Sequence, residues 1–387
     1  MTTDKAAAII AEAQNLLRRG DSAGALSLLR PAVEATPDHH DLQLNLAMAC
    51  RTSGDLPAAV QALNGALAAD PYSFLALLSK GAVLEQMGNL RQAAVVYRDT
   101  LRISPPDHSL PPSLQKPLAR AREVVAEQAQ TLAQHLHEAL GPLRETHGGS
   151  DLRRFDEGVD ILAGVSRVQN AQPVQLHYPR LPAIPFFDRE HFPWMDTLEA
   201  ATDTIRDELM TLLDAGLPGF SPYVAYPPGT PENQFAPLNH NNQWSSFWLW
   251  KDGERQEDAI AQCPKTAAVL EELPLCDQPG FAPTALFSAL AANTRIPPHT
   301  GSTNTRLLVH LPLVLPGPAG FRVGNETREW RMGEAWAFDD TIEHEAWNDA
   351  DETRVIMIFD IWNPLLCDAE RELVSALLLE QRNWLRG

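Results

Sequence analysis

The stretch IPPHTGSTNTRLLVHLPLVLP, residues 296–316, sets two histidines, His299 and His310, around a β-branched, apolar run. Side chains alternate along a strand, so in TRLLVHLPL Arg306, Leu308 and His310 share one face while Leu307, Val309 and Leu311 share the other. An arginine and a histidine on a face otherwise filled with aliphatics need partners or a ligand. A third histidine, His344, follows in DDTIEHEAWND, and ten residues beyond it Arg354 opens TRVIMIFDIW on the face of Ile356 and Ile358. Taken singly, each histidine reads as a hydrogen-bonded structural residue. Together with a lone cation at the mouth of an apolar strand, they raise a metal site and a bound carboxylate as the alternative.

The neighbouring sequence supplies the fold. Beyond about residue 243 come short runs of β character, WSSFWLW, FAPTALFSAL, GFRVGNETREW and EAWAFDD, with hairpin-like turns expected at Gly324-Asn325 and Met332-Gly333. Such a series predicts an all-β sandwich or barrel, and a jelly roll with helices packed on one side fits it. One helix is expected over 196–216, after a segment rich in proline and aromatics that begins near residue 170.

The first hundred residues follow a different rule. Gly20-Asp21, Gly54-Asp55 and Gly88-Asn89 recur every 34 residues, as do Pro37, Pro71 and Pro105, Ala13, Ala47 and Gly81, and Ala25, Ala59 and Ala93. The period resembles the tetratricopeptide repeat, in units of about 6–39, 40–73 and 74–107. Small residues let paired helices approach, the Gly-Asp or Gly-Asn pair makes the turn, and the proline ends the second helix. Such stacks present a groove to a peptide or protein, so a recruiting role is expected over mere support. A proline-rich joint (105–117) leads to one long amphipathic helix. Val125, Ala129, Leu132, Leu136 and Leu140 are expected on its packed face, and His135 and His137 read as solvated.

Bulk properties narrow the function further. A formal charge of −19 excludes a nucleic-acid backbone as an expected partner. The N-terminus carries Asp4 and Glu12 early and does not read as a signal peptide, and no stretch approaches the roughly 20 apolar residues of a membrane span. Cys50, Cys263, Cys276 and Cys367 are scattered, which argues against a disulfide framework or a zinc site and for a cytoplasmic location without a membrane anchor.

The histidine-rich stretch, together with VGNETREWRMGEAWAFDDTIEHEAWNDADETRVIMIFDIWNP, WSSFWLWKDG (244–253), PKT (264–266) and the segment around Ser288, closely resembles the aspartyl/asparaginyl β-hydroxylase family over about 175–366. The resemblance implies a multidomain α + β chain. Tetratricopeptide-like repeats (1–107) and a linker with a capping helix (108–170) would precede a double-stranded β-helix, or jelly-roll, oxygenase domain (171–387). It implies an oxygenase using Fe(II), 2-oxoglutarate and O2. His299 and His344 would be the iron ligands, and Gly301 falls where related oxygenases carry a third, carboxylate ligand, with water filling the vacancy. Asp339 and Asp340 then read as turn or supporting residues and not as ligands. Arg354 with Ser288 would bind the distal carboxylate of 2-oxoglutarate, His310 would contact its metal-side carboxylate, and Trp244 would line the pocket. One departure is clear: the family commonly has an arginine where this chain has Leu308, leaving Arg306 either to compensate or to meet substrate.

The function expected from this resemblance is hydroxylation of the β-carbon of Asp or Asn in a peptide or protein, recruited with help from the repeats. Two alternatives stand beside it. One is the same chemistry on a small molecule or lipid acyl chain; the other is a catalytically inactive repeat-based adaptor, for which Leu308 is the main support.

Overall fold

A computed structural model describes residues 3–149 and 151–386. The chain divides into two compact units, Met1–Arg167 and Val168–Gly387.

In the first unit, α1 (Thr3–Arg18), α2 (Ser22–Ala35), α3 (His40–Ser53), α4 (Leu56–Ala69), α5 (Phe74–Gln86) and α6 (Leu90–Arg102) pair as three helix–turn–helix units. Gly20, Gly54 and Gly88 take φ of +82°, +86° and +78°, the left-handed conformation that makes glycine the favoured residue in these turns. Asp21 and Asp55 then cap α2 and α4, accepting the amides of Gly24 and Ala58 at 2.7 and 3.1 Å. Asn89 makes no such bond. The small positions are buried, and a Cβ at Gly81 would run into the Tyr97 ring, so the 34-residue period records close helix contact.

A long helix, α7 (Pro112–Glu145), packs on α6, and α8 (Arg153–Ala163) packs on α7. The buried face of α7 is Leu118, Ala121, Val124, Ala129 and Ala133, whereas Leu132 is exposed. The expected stripe is therefore only partly right. Small residues let α6 approach, and the bulkier leucine stays outside that seam. The sequence reading missed α8, which Gly164 ends at φ +88°.

The second unit is a pair of facing antiparallel sheets with helices on one side. Its strands are β1 (Ser221–Pro222), β2 (Trp244–Lys251), β3 (Glu254–Arg255), β4 (Ala285–Leu290), β5 (Thr294–His299), β6 (Arg306–Val314), β7 (Ala319–Val323), β8 (Glu326–Glu329), β9 (Trp336–Phe338), β10 (His344–Asn348) and β11 (Arg354–Trp362). The larger sheet runs β1-β2-β4-β11-β6-β9 with β3 on β2, and the smaller runs β5-β10-β7-β8. Gly324-Asn325 forms the expected hairpin between β7 and β8. Met332-Gly333 does not make a hairpin, because the strands it joins, β8 and β9, belong to different sheets.

The helices are α9 (Met195–Ala200), α10 (Thr202–Asp214), α11 (Glu257–Ile260), α12 (Pro264–Glu271) and α13 (Asp368–Arg386). The single helix expected over 196–216 is thus two, interrupted at Ala201, where the Thr202 hydroxyl donates to the Glu199 carbonyl at 2.7 Å. Alternation decides where the cores lie. Leu307, Val309, Leu311 and Phe359 face Leu198, Ile205 and Leu209 of the helices. Leu286, Leu290, Ile356 and Ile358 face Ile296, Phe321 and Ala346 of the smaller sheet. The space between the sheets is where His310 and Arg354 point. Among the described residues no helix is long and apolar enough to cross a membrane.

Candidate active site

The pairing of β5 with β10 places His299 and His344 directly opposite each other in register, with ring centroids 4.0 Å apart. Each ring is oriented by its own backbone turn. Nδ1 of His299 lies 2.8 Å from the Pro297 carbonyl oxygen, and Nδ1 of His344 lies 3.0 Å from that of Ile342. A carbonyl oxygen can only accept, so both Nδ1 atoms carry the proton and both Nε2 lone pairs are free. Burial lowers the pKa of His299, and burial with the neighbouring His299 holds His344 well below the ordinary value. Two neutral imidazoles with free Nε2 atoms are what a divalent ion requires.

No carboxylate stands at position 301. A Cβ built on Gly301 would overlap the carboxylate of Asp340, whose backbone oxygen accepts the Gly301 amide at 2.6 Å. The Asp340 carboxylate thus fills the space beside the histidine pair, with Oδ1 buried and, among the described residues, without a donor. Burial pushes its pKa up to about 7. Asp339 does something else: its Oδ1 accepts the Thr341 amide and hydroxyl at 2.9 and 2.6 Å and holds the turn. Among the described residues no group of three or more His, Cys, Asp or Glu side chains is placed to hold one ion.

Arg354, at the start of β11, is 1% exposed, and burial alone lowers its pKa. Among the described residues its Nε and Nη1 have no acceptor, and its guanidinium lies 5.2 Å from the centre of the Trp330 ring. A buried, unpaired guanidinium beside a cavity calls for an anion. Ser288 faces the same cavity from the adjacent strand β4. Its Oγ accepts the Trp244 indole N–H at 3.1 Å, which leaves its own proton to donate. Trp244 in turn stacks on Tyr223 at 4.0 Å and 10°. His310 stacks on Trp330 at 5.5 Å, its Nδ1 is unpartnered, and burial followed by Arg354 holds its pKa well below the ordinary value.

Arg306 is differently placed. Its Nη1 donates to Asp360 Oδ2 at 2.7 Å and to the Phe281 carbonyl at 3.1 Å. The other Asp360 oxygen accepts the Thr284 amide at 2.8 Å. Arg306, Trp244, Ser288, His299, His310, His344 and Arg354 all line one cavity of about 540 Å³. Asp340, which the sequence reading took for a turn or supporting residue, lines this cavity too, and so does Asp360, which that reading left without a role; Trp330, also without one, touches Arg354 and His310. For Asp360 a signal existed, because alternation puts it on the Arg354 face of β11, paired in register with Leu308.

Residues 199–364 match the profile of the family described as aspartyl/asparaginyl β-hydroxylase, and residues 10–74 match a tetratricopeptide repeat. The ornithine lipid ester-linked acyl 2-hydroxylase of Rhizobium tropici is 33% identical over 206 residues, which is 52% of this chain and 68% of that protein. The chain belongs to the aspartyl/asparaginyl β-hydroxylase family. The human aspartyl/asparaginyl β-hydroxylase is 37% identical over 183 residues, 47% of this chain but only 22% of the human protein's length. Human aspartate β-hydroxylase domain-containing protein 2 is 28% identical over 257 residues, 65% of this chain and 67% of that one. The residues that line the cavity, the first Tyr223 and the last Asp360, all lie in the stretch that matches the β-hydroxylase family.

Proposed function

We propose that the chain is an Fe(II)- and 2-oxoglutarate-dependent hydroxylase whose metal is held by His299 and His344. The observation that carries the reading is Arg354: a guanidinium buried in the cavity with two nitrogens unpartnered, next to a serine hydroxyl free to donate. That pair suits one carboxylate of a dicarboxylic keto acid, bound bidentately by the guanidinium and once by Ser288. Trp330 lies over the guanidinium, and His310 stacks on Trp330. When bound, iron supplies oxygen activation coupled to decarboxylation of the keto acid. The protein would supply two neutral ligands with fixed tautomers and a counter-ion. Asp340, whose carboxylate fills the Gly301 side of the pair, would offer an acceptor beside a metal held there.

The substrate in this reading is a peptide or protein side chain hydroxylated at the β-carbon of Asp or Asn, with the tetratricopeptide repeats recruiting it. A lipid acyl chain is the second reading, favoured by the 33% identity to an acyl 2-hydroxylase and by Leu308 on the cavity wall. Titration of the protein with Mn(II) and then 2-oxoglutarate tests the site. Binding of 2-oxoglutarate that requires the metal is expected in the wild type and is to be lost in His299→Ala. Metal-independent binding, or none, contradicts the proposal.

A further inference from the structure

The histidine pair stands where its own ladder is interrupted. His299 is the last residue of β5 and His344 the first of β10, so each sits at the end of its strand. Pro297 and Pro298, just before His299, have no N–H to give to β10, and the pairing shifts register between His344 and Ala346. On its other side β10 is paired with β7 from His344 onward, so the freedom lies with His299 and the loop after it. Past the pair the chain runs in irregular loops, 300–305 and 339–343, whose backbone groups must find partners outside a ladder.

A segment near the start of the second unit supplies those partners. The Gln172 amide donates to the Thr341 carbonyl at 2.7 Å, three residues before His344, and the Val174 amide donates to the Gly301 carbonyl at 2.9 Å, two residues after His299. The amides of Gln175 and Leu176 both reach the Ser302 carbonyl, at 2.9 and 3.1 Å. Tyr178 ends the run by exchanging bonds with the buried Asn304 carboxamide: its amide donates to Oδ1 at 2.7 Å, and its carbonyl accepts from Nδ2 at 2.9 Å. One short stretch of backbone thus spans both loops, which also meet directly through the Gly301 amide and the Asp340 carbonyl.

The side chains of this stretch add little to a core. Gln172, Gln175 and His177 are exposed, and Val174 is 79% exposed. What the stretch brings is a row of N–H donors aimed at the carbonyls beside the two histidines. Resting on the hydroxylase reading above, we infer that residues 172–178 are a positioning strap: they hold the loop after His299 to the turn before His344 and so pre-set the spacing of the metal pair. Groups that orient a ligand from behind in this way govern affinity without touching the ion.

The test is Mn(II) binding to the full chain, followed by the spin-resonance signal of the free ion, with any binding that persists in His299→Ala subtracted. Val174→Pro removes the N–H that reaches Gly301 and should raise the Kd by about tenfold or more, the usual loss when a group supporting a ligand is removed. Val174→Ala keeps that N–H, trims only the exposed side chain, and should recover most of the affinity. A merely structural segment would lower the melting temperature of Val174→Pro and leave the Kd alone. An unchanged Kd in Val174→Pro overturns the inference, as does an equal loss in Val174→Ala. If Val174→Pro does not fold, the wild type decides by linkage: a strap that favours the metal must be favoured by it, so Mn(II) should slow deuterium exchange over 172–176. Exchange there that ignores the metal overturns the inference. A wild type that takes up no Mn(II) at the histidine pair defeats the hydroxylase reading and the strap's role with it, whereas wild-type binding beside an unchanged Val174→Pro defeats the strap alone.

Discussion

The carboxylate of Asp340 occupies the space into which any side chain at Gly301 would project. The two positions come from different elements, Gly301 from the loop after β5 and Asp340 from the turn before β10, and a backbone bond of 2.6 Å ties them. A β-carbon at 301 must displace Asp340, so Gly301→Ala should destabilise the fold by about 1–3 kcal/mol, the usual penalty of overpacking. Adding Asp340→Ala should recover most of that loss. Urea denaturation of the two single variants and the double variant measures the coupling, and strict additivity would show that the two positions do not compete for space.

Among the described residues Arg354 has no counter-ion. Arg354→Ala should therefore weaken 2-oxoglutarate binding by about 30-fold or more, the effect of truncating one member of a buried charge pair. Arg354→Lys keeps the charge and loses the planar fork, so it should fall between the two. Titration with 2-oxoglutarate in the presence of Mn(II) reads this directly. An unchanged Kd in Arg354→Ala would place the keto acid elsewhere.

Asp360→Ala removes the partner of a buried arginine. Breaking such a pair costs about 3–5 kcal/mol, because the remaining charge stays desolvated. Arg306→Met/Asp360→Leu should be markedly less destabilised than Asp360→Ala alone. Thermal melts of these variants separate a structural ion pair from one that is solvated.

Asp340 also sets a pH dependence. Burial raises its native pKa to about 7, whereas an unfolded aspartate titrates near 3.9. Between these values the native state holds a proton that the unfolded state releases, so stability from this group is present at low pH and is lost as pH rises through 7. In metal-free protein, Asp340→Asn should therefore gain stability relative to wild type between pH 5 and pH 8, by on the order of a few kcal/mol. Melting temperatures at the two pH values, in chelator, measure the difference; a constant gap would mean an unperturbed carboxylate.

Much of this arrangement is legible in the residues. The 34-residue period reports helix turns because only glycine enters them easily, and Gly81 is small because Tyr97 lies against it. Alternation in β6 and β11 puts Arg306, His310 and Arg354 toward the space between the sheets. The strands that carry the histidine pair were harder to read. β5 contains Pro297 and Pro298, which argue against a strand, yet it lies at the edge of the smaller sheet, where missing N–H groups are tolerated. β10 is only five residues, with Glu345 turned outward to Arg322. Trp330 follows β8 outside any strand or helix, so no period marks its contact with Arg354. Asp340 beside Gly301 is a relation between distant loops that sequence spacing does not encode.

The most direct test of the central claim is succinate formed after oxygen is admitted to protein loaded anaerobically with Fe(II) and 2-oxoglutarate. The account predicts succinate that depends on Fe(II), is raised by a substrate peptide that gains one oxygen atom, and disappears in His299→Ala. Turnover that survives in His299→Ala, or wild-type protein that binds Fe(II), 2-oxoglutarate and an asparaginyl peptide together yet forms no succinate, would contradict it.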